Sequence, residues 1–445
     1  MTRHKIAVVG AGAAGIVAAH YLSRVHEVLL FEAAPQLGGH VQTFMVPDTH
    51  PDTAPNIATD TAPDTAGDGK SNTLPVDMGF IVFNDRTYPN FRRFIAELGV
   101  QAAATEMSFS YSEPASGFAY AGTSLSGLFA RRANLIDPAF WRMLLALRRF
   151  CRTITQDLEQ NRLGEETLGA YLQAGSYPNI LFRRYLEPMV RAIWSAESRD
   201  ARTFPIRRFA RFFANHGLLS IRGGPQWLYL PGGSHTYVQA FARAFSGTVH
   251  LNSPVQAVTR TEHGATLRVN GSECTVDAVV LACHADTTLS LLTDADDQER
   301  ECLSPWRYVA NDVVLHTDAT FLPPNRKAWA CWNVIADTAA TAPHMPSDDR
   351  VHVHYWMNRL QNLAAQNTHV VTLNPRRPIP QGHENHRMEL HHPQFSLQAL
   401  RMQSHFPELQ GRRGTYFCGS YHGNGFHEDA AASGVRVAQA LGIEA

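Results

Sequence analysis

Three glycines near the start of the chain, Gly10, Gly12 and Gly15, stand at the spacing that lets a backbone turn close around a pyrophosphate. Gly10 permits the tight turn, Gly12 leaves room for an approaching phosphate, and Gly15 lets the next helix pack closely, with Ala14 in the same turn. Glu32 follows about 20 residues later, where a carboxylate can accept hydrogen bonds from a ribose. The chemistry these residues can do together is dinucleotide binding. Other reactive side chains are less organised. His352 and His354 alternate, and His391 and His392 precede a proline, but neither pair has further ligands at a recognisable spacing, so no metal is assigned. Cys151, Cys274, Cys283, Cys302, Cys331 and Cys418 form no CxxC pair, which fits reduced thiols rather than a disulfide framework or a zinc site.

The elements that must position the glycines are legible on either side of them. Lys5 to Val9 is a short β-branched run, Ile16 to Leu22 has helix-compatible apolar spacing, and Glu27 to Phe31 is a second strand ending at Glu32. The order is strand, tight turn, helix, strand. Without that context the glycine pattern has little specificity; within it, a nucleotide-binding βαβ unit is predicted. Residues 47–75 repeat Pro-Asp-Thr and Thr-Asp-Thr with hardly a large apolar side chain, and read as a flexible insertion in a surface hairpin. Residues 104–225 read as mainly helical and rich in arginine.

At 445 residues with 44% hydrophobic content, the chain has material for two packed domains. Its formal net charge of −1 excludes a global field that would recruit nucleic acid. Neither a secretory leader nor a run of about 20 apolar residues is found, so a cytoplasmic protein is expected, with any membrane contact peripheral.

The segment Ala33-Ala34-Pro35-Gln36-Leu37-Gly38-Gly39-His40 resembles the stretch after the second strand in the flavoprotein group of amine oxidases, phytoene desaturases and protoporphyrinogen oxidases, where arginine usually stands in place of His40. Further matches follow in order: Val76 to Val82, Leu230 to Ser234, Pro254-Val255, Thr415 to Gly419 and Gly423 to Ala430. Asp77 to Asn84, Trp194 to Ala196, Phe212 to Gly217 and Gly425 to Asp429 resemble a bacterial subgroup of predicted NAD/FAD-binding proteins linked to fatty-acyl modification. The resemblance implies an α/β fold, amine oxidase-like: a discontinuous Rossmann-type FAD-binding domain (1–103, 229–303, 396–445) with a mixed α+β substrate domain (104–228, 304–395). It implies noncovalent FAD held by Gly10, Gly12, Ala14, Gly15, Glu32, Gly38, Gly39 and His40, with Val255 near the adenine and Gly79, Phe80, Gly419, Phe426 and His427 towards the flavin ring.

The resemblance leaves the reaction open. Many amine oxidases carry a lysine on a substrate-domain strand, whereas this chain has only Lys5, Lys70 and Lys327, and places Asn311 or Asp312 on the corresponding strand. Oxidation of a free amine is therefore disfavoured, with Lys327 as the one substitute. Dehydrogenation of an apolar lipid or fatty-acyl chain is the favoured reading; the alternatives are amine oxidation, FAD-dependent double-bond isomerisation, and a flavin-binding protein without turnover. His427 and Glu428 are the candidate bases, although His427 could instead offer a backbone N–H to the ring and Glu428 could cap the helix that follows it. Residues 131–154 combine Phe140, Leu144, Leu147, Cys151 and Ile154 on one helical stripe with Trp141, Leu145 and several arginines. That pattern fits either a buried helix with a solvated basic face, the favoured reading, or peripheral membrane contact. The oligomeric state is not readable.

Overall fold

The computed structural model describes residues 2–48, 73–194, 201–220, 223–336 and 352–445. Five short apolar strands form a parallel sheet in the order Thr248–His250, Glu27–Phe31, Lys5–Val9, Ala278–Leu281 and Thr415–Phe417. Such strands are apolar on both faces because both are covered. Ile6, Val8, Val28, Leu30 and Val280 join one core with the helices Ala13–Leu22 and His427–Ala440. Ala7, Val9, Leu29, Phe31, Val279 and Leu281 join another, beneath a three-stranded antiparallel sheet that begins at Val255–Thr261. The two helices cross so closely that a Cβ on Gly434 would lie 2.6 Å from the Ala14 carbonyl oxygen. This is the expected α/β architecture, and its sheet joins the start, middle and end of the chain.

A second, seven-stranded sheet runs in the order Glu384–Gln394, Arg307–His316, Val370–Leu373, Val353–Trp356, Trp332–Ile335, Phe109–Glu113 and Phe118–Ala121. Two of these strands fall within the span expected to be mainly helical. Their aromatic residues alternate, and Phe109–Glu113 pairs in parallel with Trp332–Ile335, a partner more than 200 residues away in sequence. The helices, including Pro138–Glu159 and Ile206–Asn215, gather over this sheet around Phe150, Phe182, Phe209 and Phe213. In Pro138–Glu159 the fully buried stripe is Phe140, Met143, Ala146, Phe150 and Ile154, so Leu144, Leu147 and Cys151 sit at its border rather than its centre.

The strands Thr43–Pro47 and Thr73–Asp77 pair as an antiparallel hairpin. The low-complexity stretch between them lies, for residues 49–72, outside the described residues. Asp77, at the foot of this hairpin, is completely buried and ties three segments together. Its carboxyl group accepts from Thr43 Oγ1 (2.5 Å), the Ser234 backbone N–H (2.8 Å) and Gln361 Nε2 (2.9 Å). Burial pushes its pKa up to about 7 in spite of these donors.

Candidate active site

The nucleotide end is made almost wholly of backbone. Gly10 has φ +99° and donates its N–H to the Phe31 carbonyl (2.8 Å), locking the turn between the first two strands. A Cβ on Gly15 would stand 1.9 Å from the Gly10 carbonyl oxygen, so the helix can start there only with glycine. Gly38 and Gly39 form a second turn against the first: Gly38 donates to the Ala11 carbonyl (2.8 Å), and a Cβ on Gly39 would lie 3.1 Å from Gly12 Cα. A Cβ on Gly12 would meet nothing within 4 Å, which leaves an open cradle at the N-terminus of a helix without acidic residues in its first turn. That cradle fits the pyrophosphate of a dinucleotide.

Glu32 caps the same region. Its carboxylate accepts from the backbone N–H groups of Ala11 (2.8 Å) and Ala34 (2.9 Å). The Ser253 and Asn252 backbone N–H groups donate to the Glu32 and Ala34 carbonyls (2.8 and 3.0 Å), so the loop leading to Val255 runs alongside Glu32. The structure thus brings Gly10, Gly12, Ala14, Gly15, Glu32, Gly38, Gly39 and the approach to Val255 into one region.

At the other end, His40, Gly79, Phe80, Phe426 and His427 line a cavity of about 680 Å³. Gly79 is required by a close approach, since a Cβ there would lie 1.9 Å from the His40 carbonyl oxygen. The walls come from Met107 and Phe109, from Tyr185 and Met189, from Phe212 and His216, and from Leu390, His392 and Phe395. Phe426 stacks against Phe212 (centroids 4.9 Å apart), which in turn stacks on His216 (3.9 Å). Gly419 does not line the cavity; it ends the last strand, and its N–H donates to Ser433 Oγ (2.9 Å).

The two residues read as candidate bases occupy structural positions. The His427 ring lies parallel to Phe80 (3.7 Å) and edge-on to Phe91 (4.7 Å), with Nε2 2.8 Å from Tyr237 Oη. Burial lowers its pKa to about 3, which makes a neutral and weakly basic imidazole. Glu428 accepts from the Asn90 N–H (3.1 Å), Asn90 Nδ2 (2.6 Å) and the Phe91 N–H (3.0 Å). Its carboxylate caps the helix Pro89–Glu97, a different helix from the one it begins, and is not presented to the cavity. Asp429 caps the helix His427–Ala440 by accepting from the Phe426 N–H (2.9 Å).

A hydrogen-bond relay that the sequence did not reveal reaches His392. The Asp312 backbone N–H donates to Asn374 Oδ1 (3.0 Å), which orients that amide so that its Nδ2 donates to Asn311 Oδ1 (2.9 Å). Asn311 Nδ2 then donates to the Val309 carbonyl and to His392 Nδ1 (both 3.0 Å). Because an amide NH₂ can only donate, His392 Nδ1 accepts, and the neutral ring carries its proton on Nε2. Burial, with His284 and His391 nearby, lowers this pKa to about 4. Asn311 therefore takes the inward position on its strand. Asp312 turns outward to pair with Arg387, and Lys327 is exposed on the turn Arg326–Ala328, away from the cavity. Of the paired histidines, His354 bonds Thr372 Oγ1 (2.9 Å), while His391 pairs with Glu389 (2.9 Å) at the surface.

The family model for flavin containing amine oxidoreductases matches residues 13–442. AofH of Mycobacterium tuberculosis, provisionally assigned as a flavin-containing monoamine oxidase, is 27% identical over 282 residues, covering 61% of this chain and 55% of that protein. The chain thus spans about half the length of that curated relative. Among solved structures, cyclohexylamine oxidase from Brevibacterium oxydans IH-35A superposes with a TM-score of 0.64 at 15% identity, covering 99% of both chains. A CLA-producing fatty acid isomerase from P. acnes superposes with a TM-score of 0.60 at 16% identity, covering 98% of both. At these identities the superpositions speak for the fold.

Proposed function

The chain belongs to the flavin-containing amine oxidoreductase family and is an FAD-dependent oxidoreductase, and from that premise we propose that it dehydrogenates an apolar, uncharged substrate, a lipid or fatty-acyl chain. One observation carries the reading: among the described residues, no Asp, Glu, Lys or Arg lines the cavity. Met78, Ile81, Val82, Met107, Phe109, Met189, Ile193, Leu218 and Leu390 do. A cation entering such a chamber would lose its hydration without gaining a counter-ion, whereas a hydrocarbon chain gains by the same transfer. The absence of a lysine from the inner face of Arg307–His316, where Asn311 stands, also weighs against free-amine oxidation.

FAD, when bound, supplies the acceptor for a hydride equivalent. The second hydrogen leaves as a proton to water, and the residues of this chain bind and position the reactants. Gly10, Gly12, Gly38 and Gly39 would hold the pyrophosphate, Glu32 the ribose, and the turn Asn424–His427 would lie against the ring end. Phe212, His216 and Phe426 form an aromatic wall that confines the substrate. His392, with its tautomer set by Asn311 and its pKa lowered by burial, contributes a neutral imidazole rather than a charge to the cavity wall. Cys418 is buried in the helix-side core and does not line the cavity, which supports noncovalent attachment.

The test is anaerobic mixing of the FAD-loaded enzyme with saturated or unsaturated fatty-acyl substrates and, separately, with simple alkylamines. Loss of visible flavin absorbance with the acyl substrate, together with a product two hydrogens lighter, is expected. Bleaching by amines alone overturns the reading. A moved double bond without net bleaching assigns isomerisation instead, the activity named for the structural relative from P. acnes.

A further inference from the structure

Residues 114–156 carry six arginines and a single acidic residue, Asp137, in a chain whose formal net charge is −1. The same stretch concentrates apolar side chains in water. Among the described residues, five of the eight exposed large hydrophobics lie here: Leu125 (77% exposed), Leu135 (52%), Ile136 (85%), Trp141 (43%) and Leu145 (64%). They are neighbours in space. Trp141 Nε1 donates to the Leu135 carbonyl (2.9 Å), its ring lies 5.7 Å from Phe129, and the Phe129 N–H donates to the Leu125 carbonyl (3.1 Å). Leu145 follows Trp141 by one helical turn. The inner face of that helix is already buried through Phe140, Met143, Ala146, Phe150 and Ile154, so the exposed residues are not a displaced core stripe.

We infer that this surface seats on an anionic lipid bilayer, with Leu125, Leu135, Ile136 and Leu145 entering the acyl boundary and Trp141 at headgroup level. Arg132, Arg142, Arg148 and Arg152 are exposed and make no ion pair among the described residues, which leaves their charge for lipid phosphates. No helix among the described residues is long and apolar enough to cross a membrane, so the contact is peripheral. A second copy of the chain is the poorer occupant, because a two-fold interface would bring these arginine clusters face to face. The contact is independent of which substrate the cavity takes.

Co-sedimentation of the FAD-loaded protein with vesicles tests it. Binding is expected to phosphatidylglycerol/phosphatidylcholine vesicles and to be much weaker to phosphatidylcholine alone. Arg142→Ser with Arg148→Ser should weaken binding about fivefold per arginine at low salt, and added salt should mimic the loss. Ile136→Asp with Leu145→Asp should abolish binding while leaving FAD content and melting temperature unchanged, since both side chains are solvent-exposed. No binding to anionic vesicles, or binding that the Asp variants leave intact, overturns the inference. So does a lipid-free dimer, seen by light scattering, that Leu145→Asp dissociates. Acyl-chain turnover is read separately in detergent-dispersed substrate, so failure of membrane docking and failure of the proposed reaction remain distinguishable.

Discussion

At the nucleotide end, five glycines and one carboxylate drawn from residues 10–39 build a phosphate cradle from main-chain atoms. At the reactive end, the cavity takes side chains from positions as far apart as His40, Phe109, Phe212, His392 and Phe426. The first is local and tolerates almost no change at Gly10, Gly15, Gly38 and Gly39, because backbone stands where a Cβ would go, while Gly12 keeps the cradle itself open. The second is assembled from the seven-stranded sheet and the helices and turns around it, and its individual side chains have mixed tasks. His427 and Glu428 illustrate this: one is packed between aromatic rings and the other caps a distant helix. Proximity to a reactive site is therefore weaker evidence of chemistry than the hydrogen bonds a side chain already makes.

The largest effect is expected where the cradle is tightest. Gly15→Ala puts a methyl group 1.9 Å from the Gly10 carbonyl oxygen and should abolish FAD retention, measured by absorbance of the purified protein. Normal FAD content in that variant would break the contrast between a rigid end and an assembled one.

An intermediate effect is expected from acid. The pKa values of His40 and His427 are lowered to about 3, and those of His216 and His392 to about 4, each chiefly by burial. A histidine depressed below its unfolded value of about 6.5 binds fewer protons in the folded state, so its stability contribution is present above that pH and is lost as pH falls towards the folded value. Asp77 at about 7 and Asp429 at about 6 act oppositely, losing stability as pH rises through those values. Four cavity histidines, with His316, His354 and His422 elsewhere lowered in the same way, outweigh Asp77, Asp429 and Glu428 and should leave melting temperature falling steadily from pH 6.5 to 4. His427→Phe, which keeps the ring stacked on Phe80, should flatten that slope. A melting temperature indifferent to pH across this window would mean that the cavity imidazoles are not held in the buried, neutral state described.

The smallest effect sharpens the distinction between capping and catalysis. Glu428→Ala removes the acceptor for Asn90 and Phe91 and should cost about 1 kcal/mol of stability, the usual worth of a helix cap. The rate of flavin reduction by substrate should hold. A collapsed rate with an unchanged melting temperature would return Glu428 to the chemistry.

The sequence by itself determined the βαβ unit, the glycine turn, Glu32 and the α/β class, because each rests on periodicity and steric rules acting over about 30 neighbouring residues. It could not assign the strands Phe109–Glu113 and Phe118–Ala121 within an arginine-rich helical region, since their pairing with Trp332–Ile335 is non-local. Nor could it single out His392 from the two histidine pairs. Only the register of Arg307–His316 against Glu384–Gln394 and Val370–Leu373 places Asn311, Asn374 and His392 in one relay. Backbone geometry is written into consecutive residues, whereas a side chain's protonation and partners depend on which distant segments bury it, and that was decided by the tertiary structure alone.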